Sequence, residues 1–177
     1  VTGSTIAANI VGIRMYECTN ITINGNTVTG NRKYGIEVAA SFGGNIVSGN
    51  TVTNNGKLPV FGDWGAGGIY VGEYSFWGSP PIPNVIRGNN VSDNYNGIFI
   101  EGGLFWSVVG NQVEGSSHAG IFASEAPWHQ GAEGIKIYHN NFVNNTAQTS
   151  VYYRPQITWD SGYPSGGNYW SNYNGTD

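Results

Sequence analysis

The sequence predicts an all-β solenoid, a single-stranded parallel β-helix of about five to six coils, on three observations. A Gly-Asn element recurs at a fixed place, a Gly-Ile element follows each copy, and residues that favour helices are scarce. The first element reads "NGNTV" (24–28), "SGNTV" (48–52), "RGNNV" (87–91), "VGNQV" (109–113) and, degenerately, "YHNNF" (138–142). The second reads "VGIRM" (11–15), "YGIEV" (34–38), "GGIYV" (67–71), "NGIFI" (96–100) and "AGIFA" (119–123). Charged residues make up 10% of the chain, far below the usual quarter, beside 28 glycines and 14% aromatics. That balance excludes disorder, which needs high charge and few aromatics.

Each element is a short strand alternating in and out with period 2, too short to stand alone. Stacking equivalent strands at about 4.8 Å pairs their backbones and piles Ile on Ile and Val on Val. The repeat is roughly 22–24 residues where nothing is inserted, a solenoid period. Asn26, Asn50, Asn89, Asn111 and Asn140 then fall at one place in successive coils, where their amides form a hydrogen-bonded ladder. The preceding glycine tolerates the positive φ of a tight corner in four of the five copies. Hairpin turns in an antiparallel sandwich would also use Asn-Gly pairs, but would not repeat the same apolar residue at the same offset.

The solenoid is expected over residues 1–153, with 154–177 an irregular segment that packs on or caps the open end. Three insertions depart from the repeat: 55–67, 72–83 and 124–133. They carry Trp64, Tyr74, Trp77 and Trp128, and Trp106 lies at the equivalent corner of an intervening coil. The residue after each Gly-Ile is expected to face outward, which gives a column of Arg14, Glu37, Tyr70, Phe99 and Phe122. Arg14 and Glu37 are expected to form an exposed pair contributing less than about 1 kcal/mol. The exposed rings suit sugar stacking, a protein contact or packing of each loop on the coil. Those three readings stay open.

With the repeats aligned, the chain resembles the right-handed parallel β-helix repeats of the NosD-like family of archaea and bacteria, also called carbohydrate-binding and sugar-hydrolase repeats. "IKIYHNNFVNNTAQ" (135–148) and "GGNYWSNYNGTD" (166–177) are similar to the closing portion of archaeal members. The resemblance implies a right-handed coil and an exported protein. Its namesake role in copper-enzyme maturation would need His, Met or Cys ligands at close spacing. His118, His129 and His139 fall on different elements and Met15 stands alone, so no metal or cofactor is assigned, and Ca²⁺ has no motif.

Enzymes that cleave or epimerise polysaccharides share such folds. Catalysis there needs two carboxylates about 5–10 Å apart, or a base beside an acid. Glu73, Glu101 and Glu125 occupy similar offsets after Gly-Ile, Glu17 opens that column, and His118 is near in sequence, so Glu101, Glu125 and His118 are the candidates. Polyuronate-binding grooves cluster Lys and Arg, whereas the seven here are dispersed. The net charge of −4 gives no basic footprint for nucleic acid, and no apolar run is long enough to span a membrane. Four Asn-x-Ser/Thr sequons, at Asn20, Asn90, Asn144 and Asn174, mark N-glycosylation sites in an exported chain. The expected function is a non-catalytic module of a cell-surface or matrix protein, acting through copies of itself, other surface proteins or polysaccharide. The competing expectation is a polysaccharide lyase, epimerase or hydrolase.

Overall fold

The computed structural model describes residues 1–39, 43–57, 65–72, 82–103, 105–125, 134–153 and 155–175. Nineteen strands among them, β1 to β19 in chain order, form three sheets in which every pairing is parallel. The first sheet holds β1 (Thr5–Ala7), β4 (Thr27–Thr29), β7 (Thr51–Thr53), β10 (Asn90–Ser92), β13 (Gln112–Glu114), β16 (Asn141–Val143) and β19 (Tyr169–Trp170). The second holds β2 (Val11–Tyr16), β5 (Tyr34–Ala39), β8 (Gly67–Gly72), β11 (Asn96–Glu101), β14 (Ala119–Ser124) and β17 (Ala147–Tyr152). The third holds β3 (Thr22–Asn24), β6 (Ile46–Ser48), β9 (Asn84–Arg87), β12 (Trp106–Val109), β15 (Ile135–Tyr138) and β18 (Ile157–Thr158). The chain visits the sheets in that order, so one strand from each makes a rung. Six rungs are complete, β19 opens a seventh, and the architecture is a parallel β-helix.

The register stacks like on like. Val28, Val52, Val91, Val113 and Phe142 align in the first sheet, and Ile36, Ile69, Ile98 and Ile121 in the second. Ile23, Val47, Ile86, Val108 and Ile137 align in the third. All of these side chains are fully buried in one continuous core. Each contributes roughly 1.5–3 kcal/mol of burial, which a rung isolated from its neighbours would forfeit.

Two recurring corners are built on a left-handed residue, most often followed by a buried amide. The first precedes the first sheet: Gly25, Gly49, Gly88 and Gly110 have φ between +59° and +66°, and His139 adopts +56° in the copy without glycine. The Asn26 amide donates to Asn50 Oδ1 (2.9 Å), Asn50 to Asn89 (3.0 Å), Asn89 to Asn111 (2.9 Å), Asn111 to Asn140 (2.9 Å) and Asn140 to Asn168 (2.9 Å). A second ladder follows the first sheet, from Asn31 through Asn55 to Asn94.

The glycine of each Gly-Ile element faces that second ladder. A Cβ on Gly35 would lie 2.7 Å from the Gly68 carbonyl oxygen, 2.8 Å from Val52 Cγ1 and 2.9 Å from Asn55 Nδ2. Gly12 meets the same three kinds of neighbour, Gly68 and Gly120 meet a carbonyl oxygen and an asparagine amide, and Gly97 meets a carbonyl oxygen, Val113 and the Ser116 hydroxyl. The sixth rung has Gln148 in this column, and its amide accepts from Asn145 and donates to Ser171. At that end Trp170 stacks on Phe142 (ring centroids 4.7 Å apart), Trp159 tilts against Trp170, and Asn168 donates to the Ile137 and Trp159 carbonyls.

Candidate functional site

The strands of the second sheet bring the sequence candidates together on its outer face. Arg14, Glu37, Tyr70, Phe99 and Phe122 align in register, followed by Ser150. The expected exposure of the rings is corrected: Phe99 and Phe122 are each 2% exposed, while Tyr70 is half-buried. The rings cover one another. Tyr34 stacks on Tyr70 at 4.4 Å, Tyr70 tilts on Phe99 at 5.1 Å, Phe99 meets Phe122 edge-on at 4.9 Å, and Phe122 meets Tyr152 at 5.5 Å. Gly65 lies flat on this stack, since a Cβ there would come within 2.6 Å of Phe99 Cε1 and 3.0 Å of the Tyr34 hydroxyl. The column is therefore a second, external apolar cluster.

Trp106 is corrected more sharply. Assigned to an aromatic contact surface, it is fully buried in the main core. It pairs with Asn84, so in the fourth rung an indole stands in the column where Asn45 and Asn84 bond in the rungs before. Trp64, Tyr74, Trp77 and Trp128 lie outside the described residues, as do Glu73 and His129.

Arg14 Nε donates to Glu37 Oε2 at 2.7 Å, and the pair is unequal: the arginine side chain is 59% exposed and the carboxylate side chain 10%. The bond from Glu37 and its negative charge hold the Arg14 guanidinium above its ordinary pKa. The expected exposed pair is thus anchored by a buried acid, and removing Arg14 strands a carboxylate out of water.

Of the three catalytic candidates, His118 lies apart from Glu101. Glu101 aligns with Ser124, which leaves Glu125 one residue further on, its backbone N–H donating to the Tyr152 carbonyl. The Tyr70 hydroxyl donates to Glu101 Oε2 at 2.6 Å, which gives this carboxylate a structural partner. His118 precedes Ala119, the partner of Asn96, at the opposite end of the same strands from Glu101. Five residues of extended chain separate those ends by roughly 17 Å, too far for one group to hand a proton to the other.

His118 has a defined setting of its own. The Asn96 amide donates to the Ala66 carbonyl (3.0 Å), so its Oδ1 accepts from His118 Nδ1–H at 2.8 Å. The imidazole stacks on Tyr95 at 5.1 Å with planes 5° apart and tilts against Phe122 at 5.5 Å. Burial pushes its pKa below the ordinary histidine value.

The other soft donors are engaged elsewhere. Met15 lies in the core of the first rung, and Cys18 Sγ donates to the Tyr16 carbonyl at 3.1 Å. His139 Nε2 bonds the Ser165 carbonyl oxygen at 2.7 Å. Among the described residues no group of three or more His, Cys, Asp or Glu is placed to hold a metal ion.

Sequence reasoning missed the second amide ladder and the tyrosines of the C-terminal end. Tyr152, Tyr153, Tyr163, Tyr169 and Tyr173 are all exposed. Their signal was available, because five of the chain's 11 tyrosines crowd its final rungs. The four sequon asparagines are exposed as well, with Asn90 projecting from the middle of the first sheet. No described helix is long and apolar enough to cross a membrane.

No curated protein and no solved structure matches the chain. A family model does match, over residues 1–175, and its description is "Periplasmic copper-binding protein (NosD)". That match spans the repeats, both ladders and the Phe142–Trp170 stack, and the chain belongs to the NosD family, whose fold is a right-handed parallel β-helix.

Proposed function

We propose that the chain is a non-catalytic β-helix module that works outside the cytoplasm by surface contact, with its C-terminal end as the contact surface. The observation that carries this reading is the set of exposed tyrosines Tyr152, Tyr153, Tyr163, Tyr169 and Tyr173. Tyrosine offers a large rigid apolar body and a polar tip, and with tryptophan it dominates contact energies at interfaces. Copies of the same chain, other surface proteins and polysaccharide are the partners such an end suits. The family's description supports a place outside the cytoplasm. The separation of His118 from Glu101 supports the non-catalytic part. Exposed sequons at Asn20, Asn90, Asn144 and Asn174 fit glycosylation in such a setting.

Light scattering with negative-stain microscopy tests this on the native chain and on a Tyr153→Ser/Tyr163→Ser/Tyr169→Ser/Tyr173→Ser variant. A glycan array covers the polysaccharide partners. Assembly or glycan retention by the native chain, lost in an equally stable variant, is the expected result. A native monomer that retains no glycan overturns it.

The competing reading, a polysaccharide-active enzyme, is favoured by one feature: the Tyr70–Glu101 pair stands at the edge from which the long insertions leave the second sheet. Uronate-lyase and glycosidase assays with Glu101→Gln and Glu125→Gln test it. Turnover abolished by either substitution would establish the enzyme.

A further inference from the structure

We infer that this chain, although a member of a family described as copper-binding, does not itself hold copper. Copper sites gather three or four imidazole, thiolate or thioether donors around one point. This sequence has three histidines, one cysteine and one methionine with which to do so. The β-helix spreads the described donors over the first, fifth and sixth rungs and gives them structural work.

The two sulfur donors belong to the first rung. Met15 is an inward residue of β2, packed beneath the second rung's Val38. Cys18 follows β2 and bonds a backbone carbonyl two residues back. His118 stands one residue before β14, in the fifth rung. Four strand spacings of about 4.8 Å, roughly 19 Å, separate these levels along the axis, so neither sulfur reaches an imidazole.

The two described imidazoles are also apart. His139 lies at the corner that enters the first sheet, two residues before β16, and His118 lies beyond the corner that leaves it, four residues after β13. A three-residue strand and both corners intervene, on the order of 10 Å or more. Each ring has one nitrogen already engaged in a hydrogen bond. His139 Nε2 is held to Ser165, and His118 Nδ1 to the fully buried Asn96. A hydrogen bond like that from His118 Nδ1 does orient metal-bound histidines, but only where further ligands converge at the other nitrogen. Among the described residues none does. His129 lies outside them, and one more imidazole falls short of a copper set.

The inference stands apart from the contact reading, because assembly through the C-terminal tyrosines neither requires nor forbids copper. The purified full-length chain is mixed with two equivalents of Cu(II), and separately with Cu(I) under reducing conditions. Each sample is passed through gel filtration in buffer containing free histidine as competitor. Retained metal is counted by mass spectrometry, the Cu(II) sample is read by electron paramagnetic resonance, and thermal unfolding is followed with and without copper.

The expected result is no retained copper, a spectrum identical to copper in buffer, and an unchanged Tm. One retained equivalent with a raised Tm, as ligand linkage requires of a native-state site, overturns the inference. Loss of that equivalent in His118→Asn or His129→Asn would locate the site, and it too would overturn the inference. Circular dichroism of each variant separates a lost site from a lost fold.

Discussion

The two amide ladders run side by side up the same solenoid, and one is continuous while the other breaks. From Asn26 to Asn168 every described side-chain amide in the first ladder donates to the next. The second runs from Asn31 to Asn94 and then meets Ser116, whose hydroxyl is buried without a hydrogen-bond partner. Serine is too short to span a rung, so the Asn94 amide keeps its bond to the Val52 carbonyl and has no amide above it. The comparison shows what a ladder does in this fold. Each amide oxygen also receives a backbone N–H from the rung before, as Asn89 Oδ1 does from Asn50 (2.9 Å), so the ladder satisfies corner groups that the sheets leave unpaired. At the break, Ser116 N–H still bonds Asn145 Oδ1 at 2.9 Å, and the Ser116 hydroxyl is the buried side-chain atom left without a partner among the described residues.

The largest effect is expected from breaking the continuous ladder. Asn89→Ala removes the acceptor of the Asn50 N–H and side-chain amide below, and one donor each to the Asn111 oxygen above and the Val47 carbonyl, at a cost of roughly 3–4 kcal/mol. Thermal unfolding should show a fall in Tm on the order of 10 °C for a chain of this size. Asn94→Ala, beside the existing break, has no amide above it to orphan and should lose measurably less. Equal losses would mean that continuity adds nothing beyond each amide's own bonds.

The next effect concerns the packing against the ladder. At Gly97 a Cβ would fall on Val113 Cγ1, 2.6 Å from the Gly120 carbonyl oxygen and 3.0 Å from Ser116 Oγ. Crowding of that kind costs roughly 2–3 kcal/mol, so Gly97→Ala should unfold at distinctly lower denaturant than the native chain with an unchanged slope. If it were neutral, the broken rung would be looser than the intact ones, and the glycine column would have a cause other than space.

Repairing the break should do the opposite. Ser116→Asn places an amide where every other described rung of this column from Asn31 to Asn145 has one. It should stabilise the chain by about 1 kcal/mol, through one recovered buried bond to Asn94 and removal of the unpartnered hydroxyl. A calorimetric rise of about 2–4 °C checks it. A fall would show that the serine is required by packing in that rung.

Much of this was legible in the sequence, for a physical reason that also marks where legibility stops. The first ladder announces itself because four of its five predicted asparagines follow glycine. The second is concealed because its left-handed corner residue varies: Gly30, Asn54, Asp93, Gly115 and Asn144 all take positive φ there. Glycine, asparagine and aspartate share that conformation, so one geometry appears under several spellings. The outward column from Arg14 to Phe122 follows from period 2 alone. Its burial does not, since Phe99 is covered by rings in adjacent rungs and by Gly65, more than 30 residues away in sequence. Trp106 was unreadable for a related reason. Nothing local distinguishes an indole on a loop from one filling a column that amides occupy one rung earlier. The register of the glutamates was not legible either, because Glu101 pairs with Ser124 and Glu125 lies one residue beyond β14, a distinction that similar spacing in sequence hides.

The smallest predicted effect joins the break to the imidazole beside it. The side-chain link between the fourth and fifth rungs that is missing at Asn94 and Ser116 is made two residues later by Asn96 and His118. Because burial lowers the His118 pKa in the folded state, the unfolded chain binds the proton more readily once the pH drops below the ordinary histidine value of about 6.5. Stability contributed by the neutral ring is therefore fully present above that pH and is lost as pH falls toward the folded pKa. Unfolding midpoints measured between pH 8 and pH 5 should decline through the lower half of that range in the native chain, and decline less in His118→Gln. In Ser116→Asn the rungs are tied twice, so the same His118→Gln substitution should cost less than in the native background. A double-mutant cycle reads that difference directly. Strict additivity would mean that the imidazole packs on Tyr95 and Phe122 for its own sake and does not stand in for the missing amide.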